Sequence, residues 1–329
     1  MSNLLIIGGS GFIGSRLCRR LRDRGSEFTI FDKAPSHAFP DAVTLGDVRS
    51  LDDLRAAIPE GAVLVNLAAE HRDDVLPVSL YDDVNVGGAE NICTVAAERN
   101  VKTIVFTSSV AVYGAALPGT GEDGAIAHNN HYGRTKYEAE RVFRRWQAAA
   151  PDERTLVIVR PTVVFGERNR GNVYNLLRMI SSGLFVMVGS GNNVKSMAYV
   201  ENVAAFLVHM LAQPPGVHLC NYVDEPDLTM NELVAEVSRV LGRKASRLRI
   251  PFAVAYPLAK SLDLAGRVRG RGFAISSVRI RKFCANTKFT TASGETGFAP
   301  VVPLSEALER TIRYEFLESH EDEALFFSE

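Results

Sequence analysis

The sequence predicts an α/β protein, a doubly wound parallel sheet with a smaller mixed α/β C-terminal domain. Three features of the 329 residues carry that prediction. Compact apolar runs alternate with amphipathic stretches through the first half. The first run ends in a glycine-rich turn. After about Gly166 the alternation gives way to irregular sequence with Gly and Asn clusters at 166–172 and 189–193.

In chain order the apolar runs are Leu4–Ile7, Glu27–Phe31, Val63–Leu67, Thr103–Thr107 and Leu156–Val159. Short continuous runs of this kind suit strands buried on both faces of a parallel sheet. Helical patterns lie between them over Ile13–Asp23, Leu51–Ala57, Asn85–Arg99 and Tyr132–Ala149. Strand and helix repeating at this spacing give a doubly wound sheet. A helix over Val200–Leu211 and a strand over Val217–Val223 read as returns to it. Residues 1–165 are therefore assigned to the sheet domain, with returning elements near 197–224, and 166–329 mainly to a second domain.

Composition removes several classes. With 46% hydrophobic residues and 37 Lys+Arg against 38 Asp+Glu, the chain is too apolar and too nearly neutral to be disordered. A net charge of −1 also argues against a nucleic-acid binder, which needs an excess of Lys and Arg. Cys18, Cys93, Cys220 and Cys284 lie far apart with no C-x-x-C pair and no His at ligand spacing, so neither a metal site nor a disulfide framework is expected. No basic n-region precedes the first apolar run, and Ile250–Ala259 is too short to span a bilayer. The expected location is the cytoplasm.

Gly8-Gly9-Ser10-Gly11-Phe12-Ile13-Gly14 follows the first strand and leads into a helix. Glycines there let the backbone turn sharply and approach a pyrophosphate at the positive end of the helix. Asp32 ends the second strand, with Lys33 beside it. A carboxylate at that point accepts from ribose hydroxyls and repels a 2′-phosphate, which selects NAD over NADP. Tyr132 and Lys136, four residues apart, share a helix face. Ser109 lies just past the fourth strand, at the sheet end where ligands sit.

On these residues the chain resembles the extended short-chain dehydrogenase/reductase family, in its nucleotide-sugar epimerase and dehydratase branch. Further matches are Gly46-Asp47-Val48, Asn66-Leu67-Ala68-Ala69, Asn85-Val86-Gly87-Gly88, the Arg160–Gly166 segment RPTVVFG and the Ala198–Ala204 segment AYVENVA. The resemblance covers nearly the whole chain and implies a Rossmann fold. It implies cofactor contacts at Gly8, Gly11, Phe12, Ile13, Gly14, Asp32, Lys33, Asp47, Val48, Leu67, Ala68, Ala69, Asn85, Tyr132, Lys136, Pro161 and Thr162. Ser109, Tyr132 and Lys136 would be catalytic: Tyr132 takes a proton from a substrate hydroxyl as hydride leaves that carbon for NAD⁺, and return of the hydride to the opposite face inverts it. Family dehydratases carry Asp-Glu directly after the catalytic hydroxyl residue. Here Val110 and Ala111 stand there, which leaves 4-epimerisation.

Lys195 replaces the family's usual Arg, Val163 replaces a common Asn, and Gly166–Asn175 forms an unusual polar loop. With Glu70–Asp74 and Ser277–Asn286, these segments resemble the bacterial enzymes that epimerise N-acetylglucosamine linked through diphosphate to undecaprenol, for O-antigen or other surface polysaccharide. The candidate substrate contacts are Ser109, Asn172, Lys195, Arg279 and Phe283, with Phe283 or Cys284 near the N-acetyl group. The alternatives are a soluble UDP-N-acetylglucosamine or UDP-glucose 4-epimerase, or an NAD-sensing scaffold, a class that tends to lose the Tyr or Lys retained here. The family also implies a homodimer formed through helices beside that of Tyr132.

Charge is unevenly spread. Residues 239–288 hold 13 Lys and Arg against a single acid, Asp263, a local +12 that leaves −13 on the rest. Because the apolar stretch from Ile250 lies within this tract, the expected partner is an anionic bilayer on the cytoplasmic face of the inner membrane, met peripherally.

Overall fold

A computed structural model describes residues 3–72, 75–183, 185–245, 248–269, 277–320 and 324–327, without the side chains at 262, 264–269, 278, 279 and 282. The first half runs β1 (Leu4–Ile7), α1 (Phe12–Asp23), β2 (Phe28–Asp32), β3 (Val43–Leu45), α2 (Leu51–Ala57), β4 (Val63–Asn66), α3 (Ser79–Tyr81), α4 (Gly88–Glu98), β5 (Thr103–Thr107), α5 (His131–Ala148) and β6 (Thr155–Pro161). Then follow β7 (Val163–Phe165), α6 (Asn172–Ser181), β8 (Met187–Val188), β9 (Val194–Lys195), β10 (Met197–Tyr199), α7 (Val200–Met210), β11 (Gly216–Tyr222), β12 (Leu228–Thr229), α8 (Met230–Val240), β13 (Arg249–Ile250), α9 (Phe252–Arg269), α10 (Ser277–Cys284) and α11 (Leu304–Phe316).

Seven parallel strands form the main sheet in the order β11-β6-β5-β4-β1-β2-β3. All four residues of β1 are buried. Leu5 and Ile7 join the core on one face, with α4 and α5, while Leu4 and Ile6 join the core on the other, with α1 and α7. The unbroken apolar runs thus mark strands covered on both sides, as the sequence predicted. β11 returns to pair with β6 along the register Gly216↔Thr155 to Tyr222↔Pro161. The edge strand β3 escaped the sequence reading because it is three residues long and incompletely buried.

The chain order reverses at β1, flanked by β4 on one side and β2 on the other. The carboxyl ends of β1 and β4 there open a crevice, the usual ligand position of this architecture. Beyond β7 the second lobe packs α6, α8 and α11 around Leu177, Leu233, Val237, Leu308 and Ile312. α9 and α10 form an outlying pair with a small core of Ala255, Ala259 and Ile280. Among the described residues no helix is long and apolar enough to cross a membrane, and no cluster of His, Cys, Asp and Glu could hold a metal ion. All four cysteines are free.

Candidate active site

The crevice is the mouth of a cavity of about 620 Å³. Its wall includes Gly8, Gly11, Phe12, Ile13, Gly14, Asp32, Lys33, Asp47, Val48, Leu67, Ala68, Ala69, Ser109, Tyr132, Lys136, Pro161, Thr162 and Asn172. The glycine loop packs too closely for side chains: a Cβ on Gly14 would stand 2.6 Å from both the Gly8 carbonyl and the Gly9 Cα. Asp32 accepts the Ser10 N–H at 2.9 Å and the Ala34 N–H at 3.0 Å, which fixes its carboxylate on the wall. Asp47 pairs with Arg49 at 2.6 Å, and that guanidinium holds its carboxyl below the usual range. A bare backbone at a helix start and an anchored carboxylate at the end of β2 fit a dinucleotide.

The other end of the cavity is built by β5 and α5. Asn130 caps α5 by accepting the Gly133 N–H at 2.8 Å. Gly133 lets this helix start sit directly on the turn after β5, since a Cβ there would meet the Ala111 carbonyl at 2.4 Å. The close approach brings Tyr132 into hydrogen-bond contact with Ser109, whose Oγ also accepts the Ala111 N–H. One turn further on, Lys136 is 2% exposed, with its Nζ 4.4 Å from the Phe106 ring centroid. Burial pushes the Tyr132 phenol up to about 12, against the pull of Ser109, and the Lys136 ammonium down to about 7, against the pull of Glu140. Among the described residues no acceptor lies within hydrogen-bond reach of Lys136.

Three predicted contacts lie off this wall, and a fourth is outside the described side chains. Asn85 lies behind the wall, where its amide accepts the Glu70 N–H at 2.8 Å and donates to the Glu70 carbonyl at 2.9 Å and to Thr135 Oγ1 at 3.0 Å. It thereby ties the strand end at Ala69 to the helix carrying Lys136. Lys195 donates to the Ala285 carbonyl at 2.7 Å, and burial lowers its ammonium to about 8. Phe283 is half-buried and packs on Phe185, with ring centroids 5.9 Å apart, against the core of the second lobe. Both are absent from the cavity wall because they pack at the junction of β9 and α10 instead. Arg279 lies on α10, and its side chain is outside the described residues.

The wall also holds Arg49 and Ser108, which no sequence signal singled out, and His71 and Asn169, which lie in the Glu70–Asp74 and Gly166–Asn175 segments marked from the sequence. The sequence reading missed the support beneath it. Ser108 Oγ donates to Glu140 at 2.6 Å, and Arg160 makes a two-pronged pair with the same carboxylate at 2.8 and 2.6 Å. Both partners of the pair are at most 3% exposed. Arg160 also donates to the Tyr113 hydroxyl at 2.7 Å. The signal was available for Glu140, which stands one helical turn beyond Lys136 on the same face.

Residues 4–220 match the model of the NAD dependent epimerase/dehydratase family. The N-acetyl-alpha-D-glucosaminyl-diphospho-ditrans,octacis-undecaprenol 4-epimerase of Escherichia coli O157:H7 is 46% identical over 331 residues, covering 99% of each chain. A UDP-glucose 4-epimerase of Vibrio cholerae is 30% identical over 76% of this chain and 79% of its own. Among solved structures, MoeE5 in complex with UDP-glucuronic acid and NAD has the same fold, with a TM-score of 0.71 at 22% identity over 95% of this chain and 98% of its own. With the glycine loop, Asp32 and the Ser109–Tyr132–Lys136 group on one cavity, the chain belongs to the NAD dependent epimerase/dehydratase family and is an NAD-using enzyme of it.

Proposed function

We propose that this chain is a 4-epimerase of N-acetylglucosamine carried on undecaprenyl diphosphate, interconverting it with the N-acetylgalactosamine form for surface polysaccharide such as O-antigen. The observation that carries the reading is end-to-end similarity to the Escherichia coli enzyme of that name, well above that to the UDP-glucose enzyme. In this reading Gly8–Gly14, Asp32, Asp47 and Leu67–Ala69 hold NAD, and Ser109, Asn172 and the second lobe meet the sugar diphosphate. The bound cofactor supplies a reversible hydride acceptor whose oxidised ring is positively charged.

The protein supplies the proton chemistry. Tyr132 Oη takes the proton of the sugar 4-hydroxyl, and Ser109, already bonded to that phenol, donates to the sugar oxygen as it becomes a carbonyl. Before ligands arrive, burial keeps Tyr132 protonated. A positive charge brought next to the phenol offsets this and moves it toward working range. Lys136, protonated, acts in the same direction. Among the described residues the acids on the cavity wall are Asp32 and Asp47, both near the cofactor loop, and Val110 and Ala111 carry no proton. This composition favours epimerisation over water elimination.

Membrane docking belongs to the same reading. Val254 and Leu258 on α9 are 58% and 60% exposed, with Phe252, Lys260 and Arg281 also at the surface. Apolar side chains among cations suit an anionic bilayer. A homodimer through helices beside α5 is included and is checked by light scattering. The deciding experiment offers purified protein the undecaprenyl-diphosphate-linked and UDP-linked amino sugars separately, with flotation on anionic vesicles alongside. Conversion of the lipid-linked sugar is expected; conversion of the UDP sugar alone refutes the substrate.

A further inference from the structure

A second cavity, of about 480 Å³, lies on the other side of the 166–172 segment. Glu167 and Arg168 face it, while Asn169 and Asn172 face the first cavity. Its charged lining comes from four separated stretches: Arg16, Arg19 and Arg20 of α1, the Glu167–Arg168 turn, Glu201 at the start of α7, and Arg310 of α11. Among the described residues, five guanidiniums and two carboxylates thus line it.

Some of these cations are already engaged. Arg16 donates to Glu201 at 3.1 Å and to the Glu167 carbonyl at 3.1 Å, and Arg310 donates to Glu306 at 2.6 Å. Others are held more loosely. Arg20 pairs with Glu201 at 3.7 Å. Arg19 has no ion-pair partner among the described residues. Guanidiniums drawn together with fewer acceptors than donors repel one another, and a bound anion offsets that repulsion and supplies acceptors. Planar guanidiniums approaching from several directions match phosphate oxygens. The volume falls within the range of small-molecule sites.

We propose that this second cavity binds a diphosphate-bearing small molecule, at a site separate from the cavity holding Tyr132 and Lys136. The ligand bridges α1 and α11 and takes its hydrogen bonds from Arg19, Arg20 and Arg310. The shared chemistry is the diphosphate; inorganic pyrophosphate and UDP, titrated in parallel, distinguish a bare anion from a nucleotide.

Calorimetry on NAD-loaded protein with inorganic pyrophosphate tests it. Saturable binding of one equivalent is expected, weakened at least fivefold by Arg19→Gln and, independently, by Arg310→Gln on the other wall. Arg24→Gln, an exposed charge just past the end of α1, serves as the control and should leave binding unchanged. Absence of saturable binding at millimolar pyrophosphate overturns the proposal. So does binding that survives both wall variants, or that falls equally with Arg24→Gln. Unchanged NAD content in each variant shows that the fold and the first cavity are intact.

Discussion

Replacing Lys136 by Met in protein freed of nucleotide should stabilise the fold in mild acid while abolishing epimerisation. Burial lowers the ammonium from 10.5 to about 7. Below that value folded and unfolded chains both carry the proton, and the folded state bears the whole penalty. Between about 7 and 10.5 only the unfolded chain holds it, so wild-type stability rises with pH across this window. At 1.36 kcal/mol per pKa unit the full penalty is about 5 kcal/mol. Met keeps the packing against Phe106 but gives up the attraction of the ammonium for that ring, roughly 1–2 kcal/mol. The net expectation is a variant about 3 kcal/mol more stable at pH 6, with the gap closing toward pH 10. Urea unfolding followed by the fluorescence of Trp146, the single tryptophan, measures both. A variant less stable than wild type at pH 6, or a gap equal at the two pH values, refutes the reasoning.

Three further outcomes are expected. Tyr132→Phe removes the proton carrier and should lower turnover by roughly 10²-fold or more while NAD content is unchanged; wild-type turnover would show that another group is the base. Gly14→Ala places a methyl 2.6 Å from backbone atoms of Gly8 and Gly9, so the purified protein should retain little NAD, and normal retention measured by its absorbance counts against the loop as the cofactor cradle. Glu140→Gln leaves Arg160 buried without its counter-charge and should cost about 3–5 kcal/mol in urea unfolding. Adding Arg160→Met should recover most of this loss, and a double variant as unstable as the single one contradicts the ion-pair account.

Much of the site was readable because its signals are local. A strand ending at Gly8–Gly14 and a helix starting there mark the glycine-rich turn from neighbouring residues alone. Tyr132 and Lys136 share a face by helical spacing, and Ser109 lies at a strand end. The substrate residues were less legible because nothing near them in the chain says which way they point. Lys195 and Phe283 reside in or beside very short elements, and contacts with Ala285 and Phe185 decide where they lie. Asn85 stands in the expected segment, yet the Glu70 backbone and Thr135 take up its amide.

The sequence by itself determined the parallel sheet, the glycine-rich turn, the shared face of Tyr132 and Lys136 and the basic tract, because each is a pattern over a few turns of one segment. Tertiary structure alone decided which polar groups became partners. It joined Glu140 to Arg160 and Ser108 beneath Tyr132 and Lys136, and it gathered arginines from α1, the 166–172 segment and α11 around a second cavity. Periodicity specifies the face a side chain takes on its own element. Its partner depends on how distant elements pack, and only the folded chain settles that.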